Sequence, residues 1–251
     1  MTSLQTQIKL ECFNPSKMNK PNTAVIFDFD GTLAETEHHY CQIMIQTLNA
    51  HGYQITEQEY NEKYSGVGFV TILEEANEFL KSNNLPLINI SATISQLDNS
   101  YMEHTKQTGI ETTLGAAELI RALKQAEVEI AIGSNAPGHI IQHNLEHSGL
   151  APHFDPSNVH SAFDIGDPKP SATVFKRALE KLETPEINRV FILEDSNSGL
   201  KAIQAFKTQN PHLEVTSVLV NNGHNQLLVS REFYNVDLTV INLQEVLLYL
   251  K

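Results

Sequence analysis

Asp28 and Asp30 stand two residues apart, where the apolar run Ala24-Val25-Ile26-Phe27 breaks into a glycine turn at Gly31. The run is short, β-branched or aromatic, and bounded by turn residues, which predicts a strand buried on both faces. A carboxylate left without a partner in such a place costs on the order of several kcal/mol or takes up a proton. Two of them at a strand's carboxyl end therefore call for a cation, a proton or a chemical task. In a parallel α/β sheet, that end is where ligands bind. The plainer alternative is a helix cap and a turn acid, since Asp favours both positions.

Three further polar groups follow apolar runs later in the chain: Ser134-Asn135, Asp167-Pro168-Lys169-Pro170, and Glu194-Asp195-Ser196 with Gly199 close behind. On parallel strands these groups would converge in one crevice with Asp28 and Asp30. Together they offer three acids for a hard cation, a carboxylate nucleophile, hydroxyl and amide donors, and one lysine. That inventory suits Mg²⁺-assisted phosphoryl transfer, in which positioning and charge neutralisation do the catalytic work. Ser134 also reads as a plain helix N-cap, Lys169 as a solvated loop lysine, and Glu194 and Asp195 as the opening of a helix.

The elements that must position these residues are legible as an alternation. Buried strands are expected at Thr23–Asp30, Glu129–Ser134, Asn158–Ala162, Arg189–Asp195 and Glu214–Val220, with helices at Leu114–Gln125, His139–Ser148, Ser171–Leu182 and Gly199–Lys207. The alternation predicts a Rossmann-like, doubly wound parallel sheet covered on both faces. Residues 37–109 break the rhythm: they hold helical stretches around Gly66 and Pro86 and no convincing buried strand. Too long for one crossover helix, they read as an inserted α-helical cap. The expected organisation is an extension at 1–22, an α/β core at 23–36 and 110–251, and the cap at 37–109.

A net charge of −13 over 251 residues argues against nucleic acid and anionic membrane as partners, and a hydrophobic fraction of 41% is enough for a core. No apolar stretch approaches the roughly 18 residues of a membrane helix, and the first 22 residues lack the apolar segment of a secretory signal. Cys12 and Cys41 form no spacing motif, so a reducing cytoplasm is expected. His139 and His143 are one helical turn apart, with no third ligand evident.

The run Asp28-Phe29-Asp30-Gly31-Thr32-Leu33 resembles the first motif of the haloacid dehalogenase-like hydrolase superfamily. Gly133-Ser134-Asn135 is similar to its second motif, Asp167-Pro168-Lys169-Pro170 to its third, and Leu193-Glu194-Asp195-Ser196-Asn197-Ser198-Gly199 to its fourth, in the right order. The place and helical character of the insert resemble the subfamily that contains sugar-phosphate phosphatases and β-phosphoglucomutase. The resemblance implies that Asp28 is a nucleophile forming an aspartyl-phosphate and that Asp30 is the general acid, then the general base. It implies Mg²⁺ held by Asp28, the Asp30 carbonyl and Asp195, with Glu194 acting directly or through water. Ser134 and Lys169 would serve the phosphoryl group. Thr32, bracing the turn, and Asn135, orienting the substrate or Asp30, would stand on the substrate side, and Gly66 in the cap's substrate loop. The presence of Asp30 disfavours dehalogenation, whose leaving halide needs no proton.

Departures from the pattern fall at Ala34-Glu35-Thr36-Glu37, where relatives often carry Asp-Thr or Asp-Ser, and at Ser171-Ala172-Thr173, where a proline and an acid are usual. The loop Gly66–Thr71 holds no arginine or lysine, although Lys63 is near. A second phosphate would find no cation in that loop, which favours hydrolysis of a monophosphate over mutase chemistry. The expected activity is a phosphatase acting on a small phosphorylated metabolite, a sugar or sugar-acid monophosphate, as a monomer or weak homodimer. A β-phosphoglucomutase-like mutase and a non-catalytic binding scaffold are the alternatives. His38 and His39, at the start of the cap, are candidates for substrate contact.

Overall fold

A computed structural model describes residues 22–64, 67–182, 186–221 and 235–250. The extension before residue 22, Cys12 and Gly66 lie outside the described residues. The chain divides into two compact units: one formed by the described residues up to Glu35 and from Glu111 onward, the other by Thr36–Ile110.

The first unit is built on six parallel strands, β1 (Thr23–Phe27), β2 (Glu129–Ser134), β3 (Val159–Ser161), β4 (Arg189–Glu194), β5 (Glu214–Val220) and β6 (Leu238–Val240). Their order across the sheet is β3-β2-β1-β4-β5-β6. The chain moves outward one way through β1 to β3, then returns and moves the other way through β4 to β6, which is double winding. The topological switch lies between β1 and β4, where an open α/β sheet forms its ligand crevice. All five residues of β1 are buried, as a strand covered on both faces must be.

Alternation along β1 sends Ala24 and Ile26 to one face. There they pack with Val190 and Ile192 against Phe175 of α8 (Thr173–Lys181) and Leu200, Ile203 and Phe206 of α9 (Asn197–Gln209). Phe27 points the other way and meets the edge of Phe154, ring centroids 6.3 Å apart. Two further helices, α5 (Ala116–Gln125) and α6 (Gly138–His147), flank β2 in the chain, and α7 (Ala162–Ile165) is a single turn after β3. The strand expected over Thr23–Asp30 ends at Phe27, so Asp28 is the first residue past its end.

The second unit holds α1 (Glu37–Ala50), α2 (Glu57–Tyr64), α3 (Phe69–Ser82) and α4 (Ile90–Thr108), and no strand among its described residues. It has a core of its own, with Met44, Leu48, Ile72, Leu73 and Leu80 buried beside Tyr60 and Leu97. Tyr40 of α1 stacks on Tyr101 of α4, rings 3.9 Å apart and nearly parallel. Where the chain leaves and rejoins the sheet unit, Glu35 and Glu111 lie side by side, the Glu35 amide donating to the Glu111 carbonyl at 2.9 Å. Among the described residues no helix is long and apolar enough to cross a membrane.

Candidate active site

The site begins with a turn that the sequence forces immediately after β1. The Phe29 carbonyl accepts from the amides of Thr32, Leu33 and Ala34 at 3.3, 2.8 and 3.2 Å. Gly31 adopts a φ of 78°, a left-handed conformation that a side chain disfavours. Phe29 and Leu33 are fully buried and anchor the turn. Asp28 is fixed from the other side, its amide donating to the Leu193 carbonyl of β4 at 2.9 Å. The neighbouring strand therefore sets the position of the first carboxylate.

Lys169 arrives from the loop before α8 and lies between two acids, its Nζ 2.5 Å from Asp28 Oδ1 and 2.5 Å from Glu194 Oε1. All three side chains are buried, with exposures of 1% for Lys169, 9% for Asp28 and 0% for Glu194. The loop that delivers Lys169 is itself built of polar contacts. Asn135 Oδ1 accepts from the Lys169 amide at 2.8 Å, so Asn135 orients the lysine loop. Asp167 Oδ2 accepts from Ser171 Oγ at 2.7 Å and Thr173 Oγ1 at 2.6 Å. Thr173 stands where the resembled motif carries an acid; here it closes the loop with Ser171 through Asp167. The bonds from Thr173 and Ser171 hold the Asp167 carboxyl below the usual carboxylate range.

Glu194 has its second oxygen occupied as well. Oε2 accepts from the amides of Asp195 and Ser196 at 3.1 and 3.0 Å and from Ser196 Oγ at 2.9 Å. Ser196 also caps α9, accepting from the Gly199 amide at 3.0 Å. The Glu194 carboxyl lies directly against Gly199: a Cβ there would meet its atoms at 1.8 to 2.2 Å. Gly199 is needed for volume, since its φ is not left-handed. In the sequence it is simply the residue where a helix begins.

Asp30, half-buried, is met by donors at both oxygens. Ser134 Oγ, at the end of β2, is 3.4 Å from Oδ2, and Asn144 Nδ2, on α6, is 3.3 Å from Oδ1. Ser134 Oγ also accepts from the Ala136 amide at 3.1 Å. Thr32, expected on the substrate side, is fully buried and donates to Asp195 Oδ1 at 3.3 Å, tying the first motif to the fourth. Asn144 was not among the candidates. Its signal is a polar residue on the buried stripe of α6, between Ile140, Ile141 and Leu145.

Asp28, Glu194 and Asp195 each present an oxygen within 4.8 Å of the others, and among the described residues they are the one such set of three acidic, histidine or cysteine side chains. The histidine pair on α6 therefore gathers no third ligand there. Against these three acids stands one lysine, paired with Asp28 and Glu194. Burial, then the charge of Glu194, pushes the Asp28 pKa up to about 8, with Lys169 offsetting part of the rise. Burial disfavours the Lys169 ammonium, but Asp28 and Glu194 more than compensate and hold its pKa above the ordinary value. The surplus negative charge is what a hard divalent cation neutralises, and the oxygen-only donor set suits one. On chemistry and spacing, the residues fit a metal.

The remaining candidates lie in the helical unit. His39 is buried, its ring 3.8 Å from that of His38 and 5.2 Å from that of His104, and neither ring nitrogen has a hydrogen-bond partner. Lys63 pairs with Glu75 at 2.9 Å and donates to Tyr53 OH at 3.1 Å.

A model of haloacid dehalogenase-like hydrolases matches residues 25–210, most of the chain and every strand that bears a site residue. The chain belongs to the haloacid dehalogenase-like hydrolase family. An uncharacterized protein of Haemophilus influenzae is 28% identical over 194 residues, 76% of this chain and 88% of its own. A phosphorylated carbohydrates phosphatase of Thermotoga maritima is 26% identical over 186 residues, 72% of this chain and 80% of its own. Among solved structures, a hydrolase of this family from Deinococcus radiodurans, with bound phosphate and sodium, superimposes with a TM-score of 0.67 at 25% identity, covering 91% of this chain and 94% of that one.

Proposed function

We propose that this hydrolase is a Mg²⁺-dependent phosphatase of a small phosphorylated metabolite, a sugar or sugar-acid monophosphate, working through an aspartyl-phosphate. The observation that carries the reading is the buried group Asp28–Lys169–Glu194 beside Asp195, with Asp30 two residues from Asp28 and held from both sides. The phosphatase of Thermotoga maritima and the phosphate held by the Deinococcus radiodurans relative support it.

Asp28 attacks phosphorus: an Asp28 oxygen–phosphorus bond forms, the bond from phosphorus to the leaving oxygen breaks, and Asp30 gives that oxygen its proton. Asp30, now a carboxylate, then takes a proton from the water that attacks phospho-Asp28, and phosphate leaves. Lys169 balances the charge of Asp28 and of the transferred group, and Glu194 holds Lys169 in place. Mg²⁺, held by Asp28, the Asp30 carbonyl, Asp195 and, directly or through water, Glu194, would supply charge neutralisation at the phosphoryl oxygens when bound. Ser134 and Asn135 set Asp30 and the lysine loop. Hydrolysis is favoured over mutase chemistry because Lys63 is already paired with Glu75, and residues 36–110 contain no arginine.

The test is release of phosphate from p-nitrophenyl phosphate with and without Mg²⁺, repeated with Asp28→Asn. Removing the nucleophile should lower kcat by about 10⁴-fold or more. Activity that persists in the variant, or that ignores chelation of Mg²⁺, refutes the assignment. A panel of phosphorylated metabolites then selects the substrate.

A further inference from the structure

We propose that Asn144 is a positioning residue that orients Asp30 for proton transfer; the proposal rests on the phosphatase reading above. Asn144 is fully buried, on a stripe of α6 whose other buried members are Ile140, Ile141 and Leu145. A buried amide costs on the order of 1–3 kcal/mol unless it is bonded, so the partner of this one matters. Its Nδ2 is directed at Asp30 Oδ1, 3.3 Å away.

The second oxygen is met from a different element. Ser134 Oγ accepts from the Ala136 amide at 3.1 Å and donates to Asp30 Oδ2 at 3.4 Å. The rotation of an aspartate carboxyl about its last torsion is broad and only weakly restrained by the chain. Two donors from α6 and β2, one on each oxygen, fix that rotation. The contacts are long, as those of catalytic groups often are before substrate binds. Their energetic value rises during the reaction. As the proton passes from Asp30 to the leaving oxygen, Asp30 becomes an anion and both donors strengthen. Asn144 thus contributes to the step in which the leaving group departs, without touching substrate.

The demand for that proton depends on the leaving group. A p-nitrophenolate departs without help; an alkoxide does not. The experiment is kcat/KM for a series from p-nitrophenyl phosphate through phenyl phosphate to glycerol phosphate, at saturating Mg²⁺, for the wild-type chain, Asn144→Leu and Asn144→Ala. We expect a loss of about threefold for p-nitrophenyl phosphate and of about 30- to 100-fold for glycerol phosphate, a steeper dependence on the leaving group. A general disturbance of the fold would lower all members alike, so equal losses, or none, overturn the proposal while leaving the phosphatase reading intact. A wild-type chain that releases phosphate from no ester overturns both. Asn144→Ala removes the donor without adding bulk or charge and carries the test where Asn144→Leu fails to fold. If neither variant unfolds cooperatively, Asn144 is structural and the proposal fails.

Discussion

Lys169, in the sheet unit, has 1% of its side chain exposed and two carboxylates at 2.5 Å; Lys63, in the helical unit, has half its side chain in water and one carboxylate at 2.9 Å. Residue types and contact distances are nearly the same. What differs is the solvent. In water the attraction between Lys63 and Glu75 is screened and offset by the entropy of two long side chains. Tyr53 and Tyr64 share the cluster, Tyr53 OH lying 3.0 Å from Tyr64 OH, which makes it a packing device of the helical unit. Around Lys169 the side chains are buried from solvent, so each charge depends on the others. The buried cluster can therefore fix the Asp28 carboxyl by charge, as the proposed reaction requires, and the exposed one cannot.

The largest effect that would sharpen this contrast is Lys169→Met. It leaves Asp28 and Glu194 buried without their cation and should cost about 3–5 kcal/mol in urea unfolding, besides the activity. A variant as stable as the wild type would break the comparison, because the two acids would then have another source of compensation.

A smaller effect tests burial in the other unit. Burial, then the proximity of His38 and His104, lowers the His39 pKa from 6.5 to about 4. A histidine whose pKa is depressed by folding binds its proton more readily in the unfolded chain. Its cost is thus absent above about pH 6.5, grows as pH falls, and is complete below about pH 4, at most about 3 kcal/mol. Thermal unfolding from pH 7 to pH 4 should fall more steeply for the wild type than for His39→Phe; parallel curves would remove His39 from the account. The smallest effect is Lys63→Met, expected to cost under about 1 kcal/mol and to matter less still in high salt. A loss as large as that of Lys169→Met would erase the distinction between the clusters.

The sheet was legible in the sequence wherever strands are buried on both faces. Runs such as Ala24–Phe27 and Val190–Leu193 are continuous in apolar residues and bounded by turns. The sixth strand, Leu238–Val240, is not legible because three residues carry no period, and α7, with four, is little longer. The acids that line the site were visible because charged residues at the ends of apolar runs are costly. Their partnerships were not: Lys169 meets Asp28 across 141 residues and Glu194 across 25, distances that only the sheet order closes. On α6 the histidines drew attention as a ligand pair, while the neighbouring Asn144 reached Asp30. The informative sign there was a buried amide among Ile and Leu, a pattern that shows only once the helix is known to bury that face.

Gly199 has no side chain to offer the site, yet that missing side chain is the room in which the Glu194 carboxylate sits. Position 199 therefore works as a concealed fuse. The smallest possible enlargement, to alanine, sets a methyl group and an acid competing for one volume, and where the acid yields, Lys169 loses one of its two anchors.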